Sequence, residues 1–177
     1  MIFAGAGSFA PPSYATGVEE KWLKAPEIEA PVVFNAGKYD RLTLKELRGK
    51  VVVLFFWSSS DSASEEAVVS LNKWYEIYRD KGLEIVGIHV PQWESEKSAA
   101  FVFERVRELK IKFPIALDND FIVRIAYGLP AWPSVFIVDR RGYLRDEERG
   151  ELDYRRLKTL LKEALQEGNY PSGRAKS

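Results

Sequence analysis

The sequence predicts an α/β fold with a central mixed sheet flanked by helices. Two apolar runs without alternation, Val51–Trp57 and Leu83–Val90, are typical of strands covered on both faces. Between them the apolar residues recur at helical spacing, which predicts a helix connecting two parallel strands. Near the end of the chain, Arg140-Arg141-Gly142 separates two strand-like segments, which predicts an antiparallel hairpin at the edge of the sheet.

Local signals give approximate bounds for the individual elements. Val32–Phe34 is predicted to open a short hairpin, and the first long helix runs over 62–81 and stops at Gly82. A second helix is predicted over about 95–110, where apolar residues share one face. The remaining predicted elements are a strand over 113–117, a short helix over 119–127, hairpin strands over 134–139 and 143–145, and a helix over 153–166.

The length of 177 residues is sufficient for one well-buried core. We predict an arm or linker over 1–30, which carries several Pro and Gly, one domain over 31–167, and a frayed tail over 168–177. Met1–Ala10 lacks the basic flank and long apolar run of a signal peptide. We expect a disordered arm, with the stub of a removed anchor as the alternative, and the compartment stays open.

Composition argues against several classes of function. The chain has 26 basic and 26 acidic residues without a long block of either sign, so no electrostatic footprint for nucleic acid is present. No apolar stretch reaches the roughly 20 residues of a membrane span. One His and no Cys leave few metal ligands, and we interpret Asp118 and Asp120 as a helix cap and a loop. We therefore predict no metal or cofactor. As a separate point, the single Met and the many charged residues are typical of a protein from a thermophile.

An ordered set of motifs occupies 30–31, 44–50, 56–57, 87–91, 113–119, 131–139 and 141–142. In this order the motifs resemble the thioredoxin-like superfamily, in particular its TlpA/ResA-type branch and the related AhpC/TSA redoxins. The segments 87–91 and 113–119 also resemble thioredoxin domains fused to CcdA-type membrane proteins and to NHL repeats. The resemblance covers about 28–167 and implies a thioredoxin-like fold.

The resemblance places Asp61 at the position of the family's attacking cysteine and Ser64 at that of the resolving cysteine. It also implies that Pro133 is the cis-proline that faces the active site. Because the chain contains no cysteine, it cannot form a mixed disulfide or a sulfenic acid. The resemblance implies descent from thiol-disulfide oxidoreductases or antioxidant proteins. This chain lacks the thiols for that activity, so we do not expect it to be an enzyme of that kind. One alternative is a working thiol-disulfide oxidoreductase whose cysteines are substituted in this sequence.

Two interpretations of positions 61 and 64 remain. Ser62–Glu65 fits a capping box, with Asp61 adding a negative charge at the helix N-terminus. Alternatively, Asp61, His89 and one of the nearby serines form a Ser-His-Asp set in a non-thiol enzyme.

Aromatic residues give the positive hypothesis for function. We predict that Trp57, Trp93 and Trp132 surround the former active site, with Pro133 at its floor and His89 as a rim or structural residue. Because Trp is enriched at binding hot spots, the prediction is a redox-inactive module that binds an extended peptide or protein. The alternative for Trp57 and Trp132 is that they are partly buried and simply close the fold.

Overall fold

The structure is a computed structural model that describes residues 23–29, 32–37, 39, 42–129 and 131–167. Most of the predicted arm, at 1–22 and 30, lies outside the described residues. The predicted tail, 168–177, lies outside them as well. The division into arm, domain and tail therefore stays a prediction.

A mixed sheet of six described strands, in the order β1-β4-β3-β2-β5-β6, confirms the predicted fold class. The predicted hairpin at its edge is formed by β5 and β6, while β1 pairs antiparallel with β4, a pairing that was not predicted. The strands are β1 Val32–Phe34, β2 Val51–Trp57, β3 Leu83–His89, β4 Ile115–Leu117, β5 Ser134–Val138 and β6 Leu144–Arg149. The described helices are α1 Ser62–Tyr78, α2 Ala99–Glu108, α3 Ile122–Ala126 and α4 Tyr154–Glu167.

The directions of the strands determine which loops lie together at one edge of the sheet. β2 runs parallel to β3 from Val51↔Leu83 to Trp57↔His89, and β3 runs parallel to β4. The carboxyl ends of these three strands therefore meet at one edge of the sheet. β5 is antiparallel to β2, so the segment that precedes β5 reaches the same edge.

The unbroken apolar run of β2 faces two separate cores. Val53, Phe55 and Trp57 pack on one side of the sheet, and Val52, Leu54 and Phe56 pack on the other. Residues of α1 and α4, such as Leu71 and Leu157, complete the first core. The second core includes Leu42, Val123 and Tyr127. A strand covered on both faces has no solvent side, so the sequence shows no alternation.

The second predicted helix begins later than expected. Glu94–Lys97 form a separate 3-10 turn, and Ser98 adopts an extended backbone conformation that breaks the helical path. The Ser98 side chain then accepts a hydrogen bond from the Phe101 N–H, so α2 starts at Ala99. The prediction of one helix over 95–110 was wrong because a Ser favours capping over helix continuation.

Candidate functional site at the carboxyl end of the sheet

Asp61 caps the helix that starts immediately after β2. Its Oδ2 accepts hydrogen bonds from the Ser64 N–H at 2.7 Å and from the Ser64 hydroxyl at 2.6 Å. Asp61 has the extended backbone of an N-cap, and Ser64 is fully buried in the first turn. Asp61 and Ser64 therefore bond to each other as a helix cap.

The predicted capping box at Ser62–Glu65 was wrong in its register. Ser62 is the first helical residue and is exposed, while Asp61 supplies the cap one position earlier. Glu65 does not reach back to the cap but forms an ion pair with Arg105 of α2. Asp and Ser both have the short, oxygen-bearing side chain that an N-cap needs. The sequence therefore allows either residue as the cap, and in the structure Asp61 is the N-cap.

Trp57 does not lie at the rim of a groove, which corrects the prediction. Its side chain is 0% exposed and belongs to the core on the α1 side of the sheet. The indole lies beside Gly87 of the neighbouring strand, where an added Cβ would make an ordinary contact of 3.4 Å with Trp57 Nε1 but would clash with Ile115 Cδ1 at 2.4 Å. Trp57 is a packing residue, as the alternative interpretation held.

A buried carboxylate that sequence reasoning missed joins two loops at this edge. Glu96 is fully buried, and both of its oxygens lie within hydrogen-bond reach of the Ser58 hydroxyl, at 3.0 and 3.2 Å. Its Oε2 also accepts the Gln92 N–H at 2.8 Å. Glu96 thus connects the segment after β2 to the segment after β3. Nothing in the local sequence separates this Glu from the exposed Glu94 two residues earlier, so the burial follows from the tertiary structure alone.

His89, the last residue of β3, is buried beside the same carboxylate. Its Nε2 lies 3.1 Å from the Ser59 hydroxyl and 4.0 Å from Glu96 Oε2, while its Nδ1 has no hydrogen-bond partner within the described residues. Burial lowers the pKa of His89 to about 4, and the negative charge of Glu96 opposes this effect. His89 is therefore a neutral structural residue at pH 7 rather than a rim residue.

These groups do not have the geometry of a Ser-His-acid triad. In a triad the imidazole contacts the serine through one nitrogen and the acid through the other. Here Ser59 and Glu96 both lie on the Nε2 side of His89, and Asp61 bonds to Ser64 instead. The Ser58, Ser59, His89 and Glu96 side chains are all buried, so a substrate has no access to them. The hypothesis of a non-thiol hydrolase at this site loses its geometric basis.

Trp93 and Trp132 are the predicted groove residues that reach the surface. The Trp93 side chain is 65% exposed, and Trp132 is half-buried under the guanidinium of Arg124, 5.1 Å from its ring. The Trp132–Pro133 bond is cis, which confirms that prediction. Pro133 itself is buried, and its carbonyl accepts the Gly150 N–H at 2.7 Å. We call the segments 58–61, 90–98, 118–121 and 131–133 the strand-end surface.

Asp118, the other acid considered as a ligand, is a helix cap. It accepts the backbone N–H groups of Val123 and Arg124, at 3.1 and 2.7 Å, so it caps the start of α3 as predicted. Within the described ranges, no cluster of three or more His, Asp or Glu side chains has the geometry to hold a metal ion. No helix in those ranges is long and apolar enough to cross a membrane.

The sequence is similar to one protein family and to several characterised relatives. The model of the AhpC/TSA family matches residues 23–147. Protein DipZ of Mycobacterium bovis is 36% identical over 124 residues, which are 70% of this chain and 18% of DipZ. The thiol-disulfide oxidoreductase ResA of Bacillus cereus is 29% identical over 163 residues, covering 92% of this chain and 90% of ResA. The chain thus spans about a fifth of the DipZ proteins and nearly all of ResA.

Solved structures show the same fold. The exposed lipoprotein thioredoxin of Streptococcus pneumoniae superposes with a TM-score of 0.65 at 22% identity, over 78% of this chain and 99% of that one. The chain belongs to the AhpC/TSA family and is a thioredoxin-like domain of the TlpA/ResA type that lacks the Cys-x-x-Cys motif.

Proposed function

We propose that this domain binds an extended protein or peptide segment at the strand-end surface and performs no thiol chemistry. The observation that carries the proposal is the exposure of Trp93 on an anchored loop. Trp is enriched among the residues that dominate binding energy. Glu96 holds the loop that bears Trp93 through its bonds to Ser58 and Gln92. A loop that is already ordered loses less conformational entropy on binding than a flexible one.

The backbone at Trp132 offers a second contact for such a segment. Neither the N–H nor the C=O of Trp132 forms a hydrogen bond to any described residue. An extended chain pairs through main-chain hydrogen bonds of this kind. The family position of the residue before the cis-proline supports this role, because the resemblance implies that this segment holds the extended backbone of a substrate.

Peptide selection from a random display library tests the proposal. We expect peptides enriched above a no-protein control, with affinity reduced about 30-fold by the Trp93→Ala/Trp132→Ala double variant, the size expected for a hot spot. Val69→Ala/Ile77→Ala is the matched control, because it truncates two exposed apolar residues of α1. Absence of enrichment, or equal affinity for both double variants, would refute the binding function.

A substituted oxidoreductase is the second candidate, and the retained helix cap favours a direct test of it. Wild-type protein should give no reduction of insulin above background. In the Asp61→Cys/Ser64→Cys variant the two sulfurs lie at positions 61 and 64, whose side chains contact each other in the present protein, at a helix N-terminus that lowers a thiol pKa. We expect this variant to reduce insulin measurably. An inactive variant that is correctly folded by circular dichroism would mean that the surroundings have also lost thiol chemistry.

A further inference from the structure

We propose that the occupant of the strand-end surface is an extended segment carrying a Lys or Arg side chain, which Asp61 recognises. The inference rests on the proposed binding function and adds the chemical class of the partner. It begins with the carboxylate of Asp61, which is half-buried and uses only Oδ2 for the cap. Its Oδ1 accepts no hydrogen bond from any described residue, and no described Lys or Arg forms an ion pair with Asp61.

The rest of the strand-end surface has the same sign of charge. Its four segments contain five acidic side chains and one basic, a formal charge of −4, and the adjacent Arg124 reduces this to −3. Glu94 pairs with the single Lys97, while Glu96 and Asp118 are buried and bonded within the protein. Of the acids of this surface that are not buried, Asp61 and Asp120 form no ion pair with a described residue. The chain as a whole is neutral, so the negative charge is a local property.

The aromatic residues of the surface suit a cation as well. Arg124 already lies over the rings of Trp132 and Phe121, at 5.1 and 5.6 Å. The Trp93 ring has no cation and no aromatic ring against it within the described residues, although it is the more exposed indole. Because Ser58 bonds to Glu96, the loops that carry Asp61 and Trp93 lie side by side. A Lys or Arg of the partner therefore finds a free carboxylate oxygen and a free indole face in neighbouring loops.

Replacement of Asp61 by Asn isolates the charge from the fold. Asn caps helices as well as Asp does, so Asp61→Asn keeps an acceptor for the Ser64 N–H while it removes the negative charge. Asp80→Asn is the charge-matched control, because Asp80 is highly exposed and follows the far end of α1. Equal unfolding midpoints in urea for the three proteins would establish that any difference in binding comes from the charge.

The experiment compares random display selections on wild-type, Asp61→Asn and Asp80→Asn proteins. We expect Lys and Arg to be enriched in the peptides selected by wild-type and Asp80→Asn proteins, and not in those selected by Asp61→Asn. Acetylation of the enriched lysine should weaken binding to wild type about fivefold, the scale of an exposed ion pair. It should have no effect on binding to Asp61→Asn.

The outcomes separate this inference from the function on which it rests. No enrichment on any of the three proteins refutes the binding function itself. Enriched peptides without basic residues, or a basic preference that survives in Asp61→Asn, refute the role of Asp61 and leave the binding function standing. A second copy of the chain as the occupant would appear in analytical ultracentrifugation as a concentration-dependent dimer that the Trp93→Ala/Trp132→Ala variant abolishes and Asp61→Asn leaves unchanged. That result would also refute the basic-segment proposal.

Discussion

Asp61 has a structural use that is independent of any partner. Its carboxylate satisfies the backbone N–H and the hydroxyl of the buried Ser64, and its charge lies at the positive end of the α1 dipole. The helix start that would stabilise a thiolate in the family is here occupied by a permanent anion. This arrangement makes Asp61, and not Ser62, the residue on which the first turn depends.

Truncation of Asp61 should therefore destabilise the protein. We expect Asp61→Ala to lower the free energy of unfolding by about 1 kcal/mol and Asp61→Asn to leave it nearly unchanged. Ser62→Ala is the control, because Ser62 is exposed inside the helix, and should change stability by less than about 0.5 kcal/mol. Urea unfolding of the four proteins measures these differences. Equal losses in Asp61→Ala and Ser62→Ala would contradict the assignment of the cap.

His89 gives the stability of the protein a pH dependence with a definite sign. Its pKa falls from 6.5 in the unfolded chain to about 4 in the fold. Between these two values the unfolded chain binds a proton that the folded protein does not bind, so stability decreases as pH falls. The full effect, between pH 6.5 and 4, is about 3 kcal/mol in order of magnitude.

The variant His89→Gln should remove most of this slope, since glutamine keeps a polar group toward Ser59 and does not titrate. The measurement is the free energy of unfolding in urea at intervals from pH 7 to pH 4 for both proteins. The difference in slope is the quantity to compare, because carboxylates titrate in both. Parallel curves would show that His89 is not the titrating group.

At the scale of elements, the loop after β3 depends on one buried carboxylate. Removal of Glu96 leaves the Ser58 hydroxyl and the Gln92 N–H without their acceptor. We expect Glu96→Ala to cost about 2–3 kcal/mol, the penalty for unsatisfied buried polar groups, and to accelerate hydrogen exchange at the Gln92 amide. Glu94→Ala, two residues earlier in the same turn and 86% exposed in its side chain, is the control and should change neither quantity appreciably. Unchanged exchange in Glu96→Ala would contradict the anchoring role.

Elements with a strong period were predictable from the sequence, and the loops between them were not. The runs of β2 and β3 and the spacing in α1 reflect burial along a whole element, so their existence follows from composition and period. The split between the turn at 94–97 and α2 depends on the extended backbone of Ser98 and on the burial of Glu96. The Ser98 cap is a local bond to Phe101. The burial of Glu96, by contrast, depends on its contact with Ser58, which is distant in sequence and absent from any local pattern.

At the scale of the whole molecule, the coverage of the sheet on both faces explains why the predicted position of Trp57, at the rim of a groove, was wrong. A strand end near a functional edge suggests an exposed residue, yet β2 is central in the sheet and is covered on both faces along its full length. The unbroken apolar run 51–57 was the available signal, since a strand without alternation has no solvent side along its length. The thermophile-like composition stays a prediction at this scale.

Replacement of Trp57 should therefore affect the stability of the protein, whereas replacement of Trp93 should affect peptide binding. We expect Trp57→Ala to lower the free energy of unfolding by about 3–5 kcal/mol or to prevent folding, as for large core aromatics. Trp93→Ala should change it by less than about 0.5 kcal/mol and reduce peptide affinity instead. Urea unfolding with circular dichroism measures the first effect, and anisotropy of a labelled selected peptide measures the second. Comparable destabilisation by the two substitutions would contradict the assignment of Trp57 to the core.

The carboxylate at the start of α1 also fixes how the strand-end surface responds to its surroundings. A dithiol at this place exists in an oxidised and a reduced form, and the two differ in shape and charge. A carboxylate held by Ser64 has no such pair of forms, so glutathione, peroxide or an oxidising lumen leaves it unaltered. The strand-end surface therefore presents the same side chain at position 61 in a reducing and in an oxidising compartment.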